Sequence, residues 1–324
     1  MKTLKEISIH DISNVRIGHA DDIENATGCS VIIVPDGAIC GVDIRGGGPA
    51  SRETALLDPC ASNQGIHGLF LSGGSAYGLD CASGIMQYLE EKKIGLAVHD
   101  VIVPIVVGSC IFDLSCVSGT VRPDRQMGYR ACCDSEKNRE RNGNVGAGMG
   151  ATVGKLYGME RCMKAGLGCF AMEAGALQVG AIVAVNAIGD VYDVDSRHQL
   201  AGLLDQTGKI MLDSEMEMIK GIIETHQAVT NTTIAAIITN ARLDKAQMNK
   251  VAAMASNGIA RTIRPVNTSM DGDTVYALTT GKVQASEDAV GTLASYVLAK
   301  AIVKAVKETD SLYGYRCAKD LMKE

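Results

Sequence analysis

Short apolar runs alternate with polar turns through the first third of this chain, so strands are expected to dominate it. Residues 30–34 form one apolar run that ends at Pro35-Asp36-Gly37, and residues 38–44 form a second that ends at Arg45-Gly46-Gly47-Gly48-Pro49. Pro, Asp and Gly in succession favour a turn, so the two runs are expected to pair as a hairpin. Residues 67–72 read as a third strand. The segment from Gly73 to Asp80 leads into a helix ending near Lys92, with Leu79, Ile85, Met86 and Leu89 on its buried face. Residues 101–107 give a further strand, while 119–150 are polar and glycine-rich and receive no element. Farther on, residues 180–186 read as a strand followed by a Gly189-Asp190 turn. Residues 195–225 are polar, with a helical tail over 215–226. A strand opens at Thr232 and continues through the apolar run 234–238. Asp244 is placed to cap an amphipathic helix reaching Ala260. A strand over 274–279 and a long helix over 289–307 complete the chain.

This grouping, without regular βαβ alternation, predicts an α/β (α+β) fold with sheets packed face to face and helices outside. No stretch resembles a linker, and there are only 6 Pro in 324 residues, so one domain over 1–324 is expected. Hydrophobic residues make up 46% and charged residues 21%, enough apolar material for a large core. Aromatics are 4% and Gly numbers 36, which points to close approach between backbones. A net charge of −6 with Lys and Arg interleaved among acids argues against nucleic acid and against an anionic membrane surface as partners. The apolar run 101–112 is too short to span a bilayer and is interrupted by Pro104. The apolar region 165–191 contains Glu173, Gln178 and Asn186 and reads as protein interior. No secretory h-region follows Met1, and the 11 Cys are odd in number without zinc-type spacing, so reduced thiols and a cytoplasmic location are expected.

The candidate chemistry starts at Asn231-Thr232-Thr233. If the Asn231–Thr232 bond breaks, Thr232 gains a free α-amine beside its own hydroxyl, and one residue carries both nucleophile and base. The same residues also fit an ordinary strand start. Three glycine loops, at 46–48, 72–75 and 143–150, lack a P-loop or dinucleotide fingerprint. They read as tight turns, some lining a pocket with backbone N–H groups facing an anion or carbonyl. Asn144 in the third loop is a candidate substrate hydrogen-bonder, or simply an Asn in a left-handed turn. The 6 His are dispersed. No metal and no cofactor are expected.

Asn231-Thr232-Thr233-Ile234, Thr239-Asn240-Ala241-Arg242-Leu243 and Asp271-Gly272-Asp273-Thr274 together resemble the P1 family of self-processing peptidases. That family includes L-aminopeptidase/D-esterase, the β-peptidyl aminopeptidases and the nylon-oligomer hydrolase. Upstream matches include Gly46-Gly47-Gly48-Pro49-Ala50, Leu71-Ser72-Gly73-Gly74-Ser75-Ala76-Tyr77-Gly78, Gly143-Asn144-Val145-Gly146-Ala147-Gly148 and Val183-Ala184-Val185-Asn186-Ala187-Ile188-Gly189-Asp190. The resemblance extends from about Ile9 to Lys304.

The resemblance implies a four-layer αββα sandwich like that of N-terminal-nucleophile hydrolases, with different connectivity. It implies autocleavage into fragments 1–231 and 232–324, hydrolysis of small peptides or amides through an acyl-enzyme, and a homotetramer of processed units. By the same resemblance Thr232 is the nucleophile and Asn231 the residue cleaved away. Asn186 is an oxyanion donor, Lys155 the active-site lysine of the nylon-hydrolase branch, and Asp271 and Asp273 the acidic pair orienting the nucleophile. Elementary chemistry agrees. An N-terminal amine titrates at about 7.7–8.0, near working pH. One oxyanion donor is worth roughly 3–4 kcal/mol.

Two departures shape the expectation. Thr stands where the aminopeptidase branch has Ser, which points toward the nylon-hydrolase side. The segment through Phe112 and Asp113 lacks the glutamate that holds a substrate's free amine, and Phe112 stands where a Tyr hydroxyl is expected; Asp113 is the available substitute. An amidohydrolase is therefore the broader expectation. An acyltransferase of the ornithine acetyltransferase type is the alternative, but its Lys-Gly-Thr-Met junction is absent. An unprocessed binding protein is the other.

Overall fold

A computed structural model describes residues 4–221 and 231–321. Ten strands make up its main sheet system: β1 (Leu4–Ile7), β2 (Arg16–Asp22), β3 (Thr27–Ile44), β4 (Ala50–Arg52), β5 (Ile66–Ser72), β6 (Val106–Cys110), β7 (Leu167–Ala174), β8 (Leu177–Asn186), β9 (Thr232–Ala241) and β10 (Thr274–Val283). The helices that cover them are α1 (Cys81–Glu91), α2 (Arg125–Ser135), α4 (Lys245–Ala260) and α5 (Glu287–Lys307), with a short α3 (Ser214–Lys220) between α2 and α4.

β3 is the joint of the molecule. Its first part pairs with β2 and β5, while Ile39 to Ile44 pair with β10. One sheet therefore runs β1-β7-β8-β9-β10-β3 and the other runs β3-β5-β6-β4, with β2 on the free side of β3. The expected hairpin over 30–44 does not form. Pro35-Asp36-Gly37 sits inside one continuous strand, at the register shift between Ile33 and Ala38, and Gly37 takes a left-handed φ of 77°. The turn residues bend the strand from one sheet to the other instead of reversing it.

Alternating side chains fill three interiors, as the two-residue strand period requires. Ile234, Ala236 and Ile238 of β9 meet Ile32, Val34, Leu69 and Leu71 between the sheets. Ala235 and Ile237 face the layer of α4 and α5, with Val251, Ala255, Val297 and Leu298. Val31, Ile33 and Phe70 face α1 and α2 across Ile85, Leu89 and Ala131. The layers are thus α, β, β, α, as expected. Asp244 caps α4 through Gln247 N–H in a capping box, and α4 crosses between β9 and β10, which are parallel. β5, α1 and β6 form a second parallel crossover.

Two further expectations are corrected, and a third is only partly covered by the described residues. The strand foreseen over 101–107 splits at Pro104, which has no N–H for a ladder; residues 101–103 join a separate two-stranded hairpin and β6 joins the main system. The stretch 119–150 contains α2, whose polar outer face and central Gly128 hide its helical period. Gly128 is there because α1 passes so close that any Cβ would strike the Cys81 carbonyl. The helical tail foreseen over 215–226 begins as α3; its remainder, from 222, lies outside the described residues.

Candidate active site

Thr232 is the first residue of β9, and its register partner on the neighbouring antiparallel β8 is Asn186, the last residue of that strand. Both sit at one end of the sandwich, where β10 also begins. By strand parity Thr232 shares the inter-sheet face with Ile234 and Ala236, whereas Thr233 points to the opposite face with Ala235 and Ile237. Only one of the adjacent threonines therefore looks into the mouth between the sheets. In the intact chain Thr232 is 4% exposed, and its hydroxyl donates to the carbonyl oxygen of Asn231, the bond that would be cleaved.

Asn231 is held as an extension of the sheet. Its N–H donates to Met270 O at 3.1 Å, its carbonyl accepts from Gly272 N–H at 2.8 Å, and it bridges Asp271 in parallel. The loop 268–273 is itself braced by the triple glycine. Arg45 and Gly46 N–H donate to Asp273 O, Gly47 N–H to Thr268 O and Gly48 N–H to Asp271 O. The backbone N–H groups of this glycine loop do face carbonyls, and the carbonyls belong to the loop bearing the acidic pair. A Cβ at Gly46 or Gly47 would overlap that loop's backbone.

Asn186 is fully buried, and its amide orientation is fixed by its neighbours. Lys155 Nζ donates to Asn186 Oδ1 at 2.8 Å and to its backbone O at 3.0 Å, and Thr152 N–H donates to Oδ1 at 3.1 Å. With Oδ1 occupied by donors, Nδ2 must face the other way, and it donates to Phe112 O at 3.0 Å. This bond ties the end of β8 to the segment after β6 and so spans the two sheets. Among the described residues Lys155 has no carboxylate in its hydrogen-bonding shell; burial pushes its ammonium down to about 8, opposed by the nearby Cys162 and Asp271.

The acidic pair lies beside the junction, and its hydrogen bonds go to Thr233, Asn267 and Thr268. Asp273 accepts Thr233 N–H at 2.6 Å and Asn267 N–H at 3.0 Å, so it fixes the backbone next to Thr232. Asp271 accepts from both the N–H and hydroxyl of Thr268, at 2.7 and 2.6 Å. Burial pushes Asp273 up to about 7, with the neighbouring Asp271 charge adding to it. Burial also raises Asp271, against the Thr268 bonds that lower it.

Phe112 and Asp113 line a crevice with Ser115, Cys116, Gly150, Thr152, Lys155 and Met159, with room for no more than about one water. Asp113 is 4% exposed, and its oxygens accept from Thr27 Oγ1 and Gly74 N–H, each at 2.7 Å. In the intact chain it serves as an internal brace under the crevice. Burial lifts it to about 6. Asn144 is not in the cluster: its Nδ2 donates to Asp310 O at 2.9 Å, and the positive-φ residues of that loop are Gly143 and Gly146. The structure therefore brings Thr232, Asn231, Asn186, Lys155, Asp271, Asp273, Phe112 and Asp113 to one end of the sandwich and leaves Asn144 apart.

Sequence reasoning missed Thr268, Thr152 and Gly272. Thr268 and Thr152 carry no signal, because their roles arise from loop closure and not from spacing. Gly272 had one: a glycine between two acids at a strand entrance marks close backbone approach. It also missed Lys164, which is fully buried and donates to the carbonyls of Gly148, Ala151 and Ala165. Among the described residues no cluster of three or more His, Cys, Asp or Glu is arranged to hold a metal.

A strand-initial hydroxyl residue between two sheets, with helices on both outer faces, defines the N-terminal-nucleophile hydrolase class of fold. The L-aminopeptidase D-Ala-esterase/amidase of Ochrobactrum anthropi, whose structure is described as a variant of that fold, superposes with a TM-score of 0.67 at 17% identity over 93% of this chain and 86% of its own. Residues 8–318 match peptidase family S58, and the chain belongs to that family. It is 38% identical to an uncharacterized aminopeptidase of Mycobacterium leprae, over 95% of this chain and 92% of that protein. It is 31% identical to a 6-aminohexanoate-oligomer endohydrolase of Paenarthrobacter ureafaciens, over 94% of this chain and 87% of that protein. The chain is a hydrolase of peptide or amide bonds.

Proposed function

We propose that the chain matures by breaking its own Asn231–Thr232 bond and that the new N-terminal Thr232 then hydrolyses small peptides or amides through an acyl-enzyme. The observation that carries this reading is the Thr232 hydroxyl lying on the Asn231 carbonyl at the mouth between the sheets, with Asn186 opposite it in register. After cleavage the α-amine takes the hydroxyl proton as Thr232 Oγ attacks a substrate carbonyl. Asn186 Nδ2, exchanging Phe112 O for the substrate, bears the oxyanion, and Lys155 holds the amide in that orientation. Asp273 keeps the strand entrance in place through Thr233 N–H. Substrates are expected among short peptides and oligomeric amides, in keeping with the names of the mycobacterial and Paenarthrobacter relatives.

We further propose a homotetramer of processed units working in the cytoplasm, where the 11 free cysteines stay reduced. Intact mass of the purified protein tests the central reading. Two fragments divided at Asn231–Thr232, with amide hydrolysis appearing in step with them, are expected. A chain that stays whole yet hydrolyses amides would overturn it.

A further inference from the structure

Maturation and turnover need an oxyanion donor at different carbonyls, and the intact chain separates the two. The donor assigned to substrate, Asn186 Nδ2, is engaged with Phe112 O at 3.0 Å. Asn231 O instead accepts from the backbone N–H of Gly272 at 2.8 Å, while the Thr232 hydroxyl lies against the same carbonyl. The donor is held from several sides. Asn231 N–H is fixed on Met270 O, and the Asp271 carbonyl, part of the same peptide unit as the Gly272 N–H, is fixed by Gly48 N–H at 2.8 Å. A Cβ on residue 272 would lie 2.9 Å from Thr232 Oγ1 and 3.0 Å from Gly48 O, so only glycine lets this N–H and the hydroxyl share one carbonyl without crowding.

We propose that the Gly272 N–H is the oxyanion donor of self-cleavage, distinct from the donor used in turnover. The inference rests on the maturation reading above. Thr232 Oγ forms a bond to the Asn231 carbonyl carbon, and the carbonyl π pair moves onto the oxygen that Gly272 N–H already faces. The hydroxyl proton passes to a base and is returned to the Thr232 nitrogen as the C–N bond breaks. The products are an ester on Thr232 Oγ and a free α-amine. Water then hydrolyses the ester to the Asn231 carboxylate and restores the hydroxyl. A fixed donor aimed at the oxygen before charge develops needs no reorganisation during the step.

The test replaces Gly272 by glycolic acid in cell-free translation, which exchanges the N–H for an ester oxygen and adds no Cβ. The comparison chain carries glycolic acid at Gly48, losing a hydrogen bond of the same loop that does not reach the Asn231 carbonyl. Fragment appearance is followed by intact mass for both and for the unmodified chain. Amide hydrolysis is measured per mole of processed enzyme. Maturation is expected to slow by roughly 10²–10³ for the ester at 272 and by less than about tenfold for the ester at 48, with turnover by matured molecules of both kept within about threefold. Equal slowing by the two esters, or cleavage of the 272 ester at the unmodified rate, overturns the proposal. Loss of turnover at 272 equal to the loss of maturation also overturns it, because one donor would then serve both carbonyls. An unmodified chain that never cleaves refutes the maturation reading instead, and the control identifies that case directly.

Discussion

Thr232 differs from Thr233 only in which face of β9 it occupies, and that face decides which hydroxyl can reach the Asn231 carbonyl. Thr232→Ala is expected to remain a single chain and to lack amide hydrolysis, as read by gel and product release; Thr232→Ser keeps both in part. A cleaved and active alanine variant would move the nucleophile elsewhere. Asn186→Ala should leave maturation largely intact and lower kcat by roughly 10²–10³, since its amide Nδ2 is engaged with Phe112 O before any cleavage. Asp271→Asn should slow maturation more than turnover, because the proposed self-cleavage would precede any free amine able to take the proton. Time courses of both variants check the division. Asp273 adds a pH dependence whose sign follows from its surroundings. The folded chain keeps its proton up to about 7, whereas an unfolded aspartate loses it near 3.8, so folding binds a proton between those values and stability falls as pH rises through that window. In a Thr232→Ala background, Asp273→Asn should flatten that fall; thermal unfolding from pH 4 to 8 measures it, and an unchanged slope would count against the assignment.

At the scale of elements, the site depends on how α4 seats across β3 and β10 and so fixes the ends of the parallel pair β9 and β10. The helix has a strong local start, the reciprocal Asp244–Gln247 box. Asp244→Ala is expected to cost about 1 kcal/mol of stability without changing turnover by the folded enzyme. Its docking is tighter than its sequence suggests. Gly41 on β3 lies under the helix, and a Cβ there would overlap the backbone at Met248 and Asn249. Gly41→Ala should therefore cost about 1–3 kcal/mol or more, readable by denaturant titration. Lys245, in the helix's first turn, is buried and donates to the carbonyls of Leu56, Asp58, Ala61 and Asn63, pinning the loop before β5. A lysine near a helix start reads in sequence as a solvated charge; only the arrival of four carbonyls makes it internal.

Across the whole molecule, cleavage at Asn231–Thr232 would not divide the fold into separable halves. β9 pairs on one side with β8, from the upstream fragment, and on the other with β10, from its own fragment. β10 in turn pairs with β3, again upstream. Between them α4 and α5 bury one whole face of that sheet. The two fragments should elute together in native size exclusion and part only in denaturant. A β fragment eluting alone in native buffer would contradict the pairing. Light scattering is expected to give the mass of four processed units, and a single 34.0 kDa species at working concentration would remove the tetramer.

Local pattern was enough to reveal most elements. Short apolar runs marked β5, β8, β9 and β10, the N-cap and apolar stripe marked α4, and the Asn231-Thr232 junction offered a hydroxyl at a strand start that the family resemblance singled out as the candidate nucleophile. The path of β3 was not legible in this way, because Pro35-Asp36-Gly37 serves a bend between sheets as well as a reversal, and only the pairing partners choose. Nor was α2, whose buried face depends on a close crossing at Gly128 that no periodicity records. At the site the family resemblance supplied the candidate participants but not the contacts between them. That Asn186 faces Phe112, that Asp273 holds Thr233, and that Gly272 N–H faces the Asn231 carbonyl are consequences of four chain segments meeting at one end of two sheets, and such meetings are set by packing rather than by any local preference.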